Sequence, residues 1–100
     1  MEIEEATNDF RHRSRNTYDY PMATMFFCKE IWREICEHQK FGLKNVNTRI
    51  KTFQYPYCYD IIKNVGRVYE MHGYKIGFPS YSSELENGKK VFIYEWKFFA

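Results

Sequence analysis

The sequence predicts an α+β fold with two or three helices followed by a C-terminal antiparallel β-hairpin. Two segments carry apolar residues at helical spacing, the C-terminal segment alternates as a strand does, and an Asn-Gly pair precedes that segment. The length of 100 residues suits one domain with a single core. We expect residues 19–100 to form this domain. Residues 1–18 show no clear periodicity, so we expect a flexible N-terminal arm there.

Aromatic residues must supply much of the core. They make up 20% of the chain, whereas leucine occurs only at Leu43 and Leu85. An aromatic ring buries a large area per residue, so the composition suits a small domain. Nine of the aromatic residues are tyrosines, a residue type that is also enriched in protein interfaces. The same composition therefore fits either a core or a contact surface.

The first predicted helix spans about residues 22–41. Pro21 suits a first helical turn, where its missing N–H costs nothing, and Gly42 suits the position just after a helix. Between them, apolar residues recur at intervals of three and four. The residues on this stripe are Met25, Cys28, Trp32, Ile35 and Cys36.

Residues 43–54 fit two interpretations. A helical pattern relates Leu43, Val46, Ile50 and Phe53. A strand pattern relates the β-branched residues Val46, Thr48, Ile50 and Thr52. We favour the helix, because Asn45 can cap it. The strand remains the alternative.

Residues 57–72 carry the clearest amphipathic pattern in the chain, and Gly73 is placed to end that helix. Residues 74–78 and 91–98 alternate as strands, and Asn87 followed by Gly88 is a strong signal for a hairpin between them. The polar segment 79–90 is either a flexible loop or an extension of this hairpin.

This order of elements resembles a winged helix-turn-helix domain. Residues 46–53 would be the second helix, Tyr55 and Pro56 the turn, residues 57–72 the recognition-type helix, and residues 73–76 the lead into the wing. The resemblance implies that the third helix enters the major groove of DNA with its polar face. It also implies that the wing contacts the DNA backbone.

The charge distribution agrees with an anionic partner. The formal net charge is only +2, but residues 40–67 hold six basic residues against one acidic residue, a local balance of +5. The N-terminal segment adds a short basic run. The candidate nucleic-acid-binding residues are Arg11, Arg13, Arg15, Arg49, Lys51, Lys63, Asn64, Arg67, Lys89 and Lys90. The leading interpretation is a small DNA-binding or regulatory module that binds duplex DNA.

A protein-interaction module is the alternative. Tyr55, Tyr57 and Tyr81 are its candidate contact residues, because tyrosine is frequent among interface hot spots. The compact, aromatic-rich chain also resembles small accessory proteins of bacteriophages and other viruses. That resemblance implies a role in inhibiting a host machine or in virion assembly. A homodimer is a further alternative.

The sequence does not indicate an enzyme. Cys36 and His38 would point to different sides of a helix, and the glycines lack the spacing of a phosphate-binding loop. We therefore expect no catalytic residue, no cofactor and no metal. The three cysteines, Cys28, Cys36 and Cys58, are expected to be reduced and mostly buried. No segment suits a membrane span, so we expect a cytoplasmic protein, in the host if it is viral.

Overall fold

The computed structural model of the protein describes residues 2–13, 21–40 and 45–99. In these ranges the fold is α+β, as predicted, with three helices and four antiparallel strands. The elements are α1 (Ile3–Arg13), α2 (Pro21–Lys40), β1 (Val46–Thr52), α3 (Tyr59–Met71), β2 (Lys75–Ile76), β3 (Ser80–Glu86) and β4 (Lys89–Phe99).

The last strand, β4, is the centre of the sheet. Strand β1 pairs along one edge of β4, with Ile50 opposite Tyr94. The short β2 and the longer β3 pair one after the other along the opposite edge, and Tyr81 also lies opposite Tyr94. All of these pairings are antiparallel, so every other strand of the described sheet is hydrogen-bonded to β4.

The three helices and the inner face of the sheet enclose one aromatic core. Tyr94, Trp96 and Phe98 alternate along β4 and are almost fully buried. Phe27 of α2 packs on this face, with ring centroids 4.5 Å from Tyr94 and 5.5 Å from Trp96. The Tyr69 hydroxyl of α3 donates a hydrogen bond to the Cys28 carbonyl at 2.7 Å, which joins α3 to α2. Aromatic rings thus supply the volume that leucine supplies in most cores.

Three predicted elements are confirmed. Helix α2 lies where the first helix was predicted, and α3 ends at Met71, two residues before Gly73, whose φ of +89° is readily adopted by glycine. Asn87 and Gly88 form the hairpin turn with φ values of 52° and 78°. Two successive positive φ values are the geometry that favours this pair in a tight hairpin. Most of the segment 79–90 is therefore an extension of the hairpin, in strand β3.

The prediction of a helix over residues 43–54 is wrong. Residues Val46–Thr52 form strand β1, and buried and exposed residues alternate strictly along it. Phe53, which the helical pattern placed on the apolar stripe, is 58% exposed. The winged-helix resemblance placed its second helix here, so Tyr55 and Pro56 join a strand to α3 and not one helix to another.

The N-terminal segment also differs from the prediction. Residues Ile3–Arg13 form helix α1, where no regular structure was expected. Ile3, Ala6 and Thr7 are buried at helical spacing, and the Thr7 hydroxyl donates to the Ile3 carbonyl at 2.8 Å. Glu4 also forms an ion pair with Lys29 of α2 at 3.2 Å. Helix α1 is therefore part of the folded domain, whereas residues 14–18 of the predicted arm lie outside the described residues.

Candidate nucleic-acid interface

An open groove of about 690 Å³ runs between α3 and the segment that contains β2 and the start of β3. Lys63 and Arg67 of α3 line one wall, and Phe78 and Tyr81 line the other. Trp96 of the central strand also lines the groove, although the whole residue is only 1% exposed. The groove therefore lies directly on the core.

Aromatic side chains stand around this groove with much of their surface in solvent. Tyr57 is 54% exposed, Tyr59 is 63% exposed and Phe78 is 97% exposed. Leaving such rings in water forgoes the burial that stabilises a fold. A cluster of exposed rings beside a cavity is typical of a binding surface.

Tilted and edge-on contacts between aromatic rings connect the core to the rim of the groove. The ring centroid of Tyr81 lies 5.3 Å from that of Tyr94 and 4.9 Å from that of Tyr57. The Tyr94 hydroxyl donates to the carbonyls of Tyr55 and Pro56, at 3.0 and 2.7 Å. These contacts fix the segment before α3 against the sheet, and Tyr57 with it.

Burial, with a smaller contribution from the neighbouring Tyr81, raises the pKa of Tyr94 to about 12. The hydroxyl is therefore protonated at neutral pH and can act as the donor in both hydrogen bonds. Its role is to hold the entry into α3.

The basic residues of α3 face the groove without an ionic partner. Lys63 and Arg67 are both exposed and lie four residues apart, so they share one face of the helix. Neither forms a salt bridge with any other described residue, although Glu70 lines the same groove. Their charges are therefore available to an anion that enters the groove.

Asn64 does not belong to this exposed face, contrary to the sequence interpretation. The residue is only 5% exposed and lies among the buried positions of α3. It follows Lys63 in the chain, but the next position on a helix is rotated by about 100°. Asn64 is thus turned toward the core and not toward a base edge.

The basic residues of β1 have a different environment. Arg49 forms ion pairs with Glu95 at 3.5 Å and with Glu84 at 3.8 Å, and Lys51 lies 3.9 Å from Glu84. These contacts cross the outer face of β4. The two candidate phosphate-binding residues of β1 are therefore neutralised within the sheet.

Of the other candidate cations, Lys89 and Lys90 are described, and they do not line the groove. Lys89 and Lys90 are exposed next to the hairpin turn, and Lys90 Nζ lies 5.9 Å from the ring centroid of Phe92. Arg11 and Arg13 belong to α1, but their side chains are outside the described part of the structure. Arg15 lies in the undescribed segment between α1 and α2.

Two of the three candidate interface tyrosines line the groove. Tyr57 and Tyr81 do so, whereas Tyr55 is half-buried and packs its ring against Phe26 and Phe27 of α2. The sequence interpretation missed Tyr59 and Phe78. The available signal for Phe78 was its place in the alternating segment 74–78, which was used only to predict a strand.

The thiols are free and are shielded to different degrees. Cys28 is buried, as expected, and burial raises the pKa of its thiol far above the ordinary range. Cys36 and Cys58 are partly buried, which agrees with the expectation that the thiols are mostly buried. Within the described ranges, no three His, Cys, Asp or Glu side chains are grouped so as to hold a metal ion.

None of the described helices combines the length and apolar character that crossing a membrane requires. Comparison of the chain with protein-family models, with curated proteins and with solved structures finds no match. The groove must therefore be interpreted from its own chemistry.

Proposed function

We propose that this protein binds nucleic acid through the groove between α3 and the β2–β3 segment. The observation that carries the proposal is the pair of exposed cations, Lys63 and Arg67, beside exposed aromatic rings. Cations bind phosphates, and rings offer flat surfaces to bases. Nucleic acid is the class of ligand that presents both groups together.

The difference in ion pairing favours the groove, and not the outer face of the sheet, as the binding site for phosphates. Arg49 and Lys51 have carboxylates within 4 Å, whereas Lys63 and Arg67 have none among the described residues. A phosphate that approaches the sheet must compete with Glu84 and Glu95. On α3 the flanking Asp60 and Glu70 form no ion pair with the two cations among the described residues, so we expect phosphates to bind there in preference to the sheet.

A matched pair of double variants tests the proposal. Each variant removes two positive charges. The α3 variant combines Lys63→Gln with Arg67→Gln, and the β1 variant combines Arg49→Gln with Lys51→Gln. We expect the α3 variant to weaken oligonucleotide binding by about tenfold or more at about 50 mM salt, because each lost phosphate contact also loses its counterion release. We expect the β1 variant to change the affinity less than about threefold, because its cations are already paired.

Fluorescence anisotropy over a salt series measures both effects. The slope of log K against log salt should fall by about 1.4 to 1.8 in the α3 variant, since two phosphate contacts are lost. An equal effect of the two double variants would contradict the assignment to the groove. An absence of binding by the wild-type protein at about 50 mM salt would reject nucleic acid as the ligand.

A protein partner is the second candidate, and one observation favours it. Phe78 is 97% exposed and Leu85 is 77% exposed. Aromatic residues such as phenylalanine are enriched in protein interfaces. A nuclease-treated pull-down separates the two candidates. A protein partner would be favoured if the wild type captured a protein and Phe78→Ser abolished that capture. The double variant Lys63→Gln with Arg67→Gln would have to leave the capture intact.

A further inference from the structure

The rings around the groove are arranged as separate surfaces and not as one packed cluster. Tyr57 contacts Tyr81 in a tilted arrangement with ring centroids 4.9 Å apart, and 54% of Tyr57 remains exposed to a ligand. Tyr59 and Phe78 are more exposed still and have no ring contact with another described aromatic side chain. Each ring is therefore available to stack on a flat partner. An aromatic platform of this kind binds unpaired bases with little dependence on sequence.

The spacing of the two cations suits a nucleic-acid strand that lies parallel to the axis of α3. Lys63 and Arg67 are four residues apart, which corresponds to about 6 Å along the axis of α3. That distance is comparable with the separation of successive phosphates in an extended strand. A backbone that lies along α3 can therefore contact both cations while its bases turn toward the opposite wall.

The same helix is poorly suited to reading duplex DNA. Asn64, whose amide is suited to pairing with adenine, is buried. Lys63 and Arg67 share an exposed stripe of the helix with two carboxylates, one on each side, which belong to Asp60 and Glu70. These two carboxylates would meet the phosphates on either side of a major groove. The stripe thus accommodates about two phosphates and no more.

We propose that the groove binds a short single-stranded segment of DNA or RNA. Bases stack on Tyr57, Tyr59 and Phe78, and the backbone contacts Lys63 and Arg67. Tyr81 is a positioning residue, because it supports the ring of Tyr57 from the side of the sheet. This inference rests on the proposed function and narrows it from nucleic acid in general to unpaired nucleotides.

Three labelled probes of equal length test the inference: a deoxythymidine decamer, an abasic decamer with the same phosphates, and a ten-base-pair duplex. Stacking of even one base should make the thymidine strand bind at least about fivefold more tightly than the abasic strand. It should also bind more tightly than the duplex, whose bases are already stacked. The intact protein is used throughout, with binding followed by anisotropy.

Two phenylalanine variants give a matched control. Phe78→Leu and Phe53→Leu both replace an exposed ring with an apolar side chain, but only Phe78 lines the groove. We expect Phe78→Leu to weaken binding of the thymidine strand by about fivefold or more, and to leave binding of the abasic strand unchanged. Phe53→Leu should change neither. Tyr57→Leu provides a second ring variant with the same expected pattern.

The outcomes separate the two proposals. Equal affinity for the thymidine and abasic strands, or tighter binding of the duplex, would overturn the single-strand inference while nucleic-acid binding stands. No binding of any of the three probes at about 50 mM salt would overturn both proposals. Loss of binding in Phe53→Leu to the same extent as in Phe78→Leu would overturn the assignment of the stacking surface to the groove.

Discussion

The outer face of the sheet and the groove beside α3 each carry two basic residues, yet their surroundings differ. On the sheet, Arg49 and Lys51 lie across β4 from carboxylates, because the strand register places Glu84 and Glu95 on the same face. On α3, the corresponding cations face a segment that carries aromatic rings. Equal charge in the sequence therefore produces one surface where the cations are paired and one where, among the described residues, they are not.

The two faces of β4 also differ in what covers them. The inner face is covered by helices, and Ile50 of β1 belongs to that core. On the outer face, Ile93 is 2% exposed but lies outside the core cluster, and Lys51 is its cross-strand neighbour. Long charged side chains can cover apolar surface with their methylene groups. Near-complete burial therefore occurs both inside and outside the core cluster.

The largest expected effect comes from truncating one isoleucine on each face. Ile50→Ala leaves a cavity among packed side chains and should lower the free energy of unfolding by about 3–5 kcal/mol. Ile93→Ala should cost about 2 kcal/mol, the low end of the range for such truncations, because Ile93 lies outside the core cluster. Urea denaturation of the two variants measures the difference. Equal losses would show that the outer face is as tightly packed as the core.

Much of the fold could be predicted because most segments fit only one type of secondary structure. Helix α2, helix α3 and the Asn87-Gly88 turn follow from spacing and turn chemistry. Strand β1 could not be decided locally, since Val46 and Ile50 fit both a helical and an alternating pattern. Pairing with β4 decided the conformation, and that contact is remote in sequence.

Helix α1 was missed because its buried face is short and only partly apolar. Ile3, Ala6 and Thr7 occupy one face, but a small residue and a hydroxyl residue give a weak hydrophobic signal. The Thr7 hydroxyl is accommodated by a hydrogen bond to a carbonyl within the same helix. The spacing of these residues was visible, whereas their burial depended on α2.

The candidate site could be predicted only in part. The sequence offered Lys63, Arg67, Tyr57 and Tyr81 as candidate site residues, but it assigned them to two competing functions. The fold brings all four to one groove. The pairing of Arg49 with Glu84, 35 positions apart, depends on strand register and could not be derived from local charge counts.

A smaller effect is expected from Tyr94→Phe, on the groove side. The variant loses the hydroxyl that donates to Tyr55 and Pro56, which should cost about 1 kcal/mol. Thermal unfolding should shift by about 4–8 °C. Binding of an oligonucleotide should weaken as well, because the entry into α3 and the ring of Tyr57 are held less firmly.

The pH dependence of this variant gives an independent check. The pKa of Tyr94 rises from an ordinary value near 10 to about 12 in the folded protein. A raised pKa in the folded state stabilises the protein fully below pH 10, and this contribution is lost as the pH rises from 10 to 12. The stability advantage of the wild type over Tyr94→Phe should therefore shrink across that interval. A constant difference would argue against a buried neutral hydroxyl.

The smallest effect is expected from Glu84→Gln, on the outer face of the sheet. Glu84 is the shared partner of Arg49 and Lys51, and all three side chains are about half exposed. Exposed ion pairs contribute at most about 1 kcal/mol, and salt screens them. We expect the variant to be less stable than the wild type by about 0.5 kcal/mol at low salt, with the difference vanishing near 1 M salt.

Glu86→Gln is the matched control, because it makes the same change on the same strand at a residue without an ion pair among the described residues. A loss of stability in Glu84→Gln that persists at high salt would contradict this prediction. It would mean that Glu84 stabilises the outer face through packing over β4 and not through charge pairing alone.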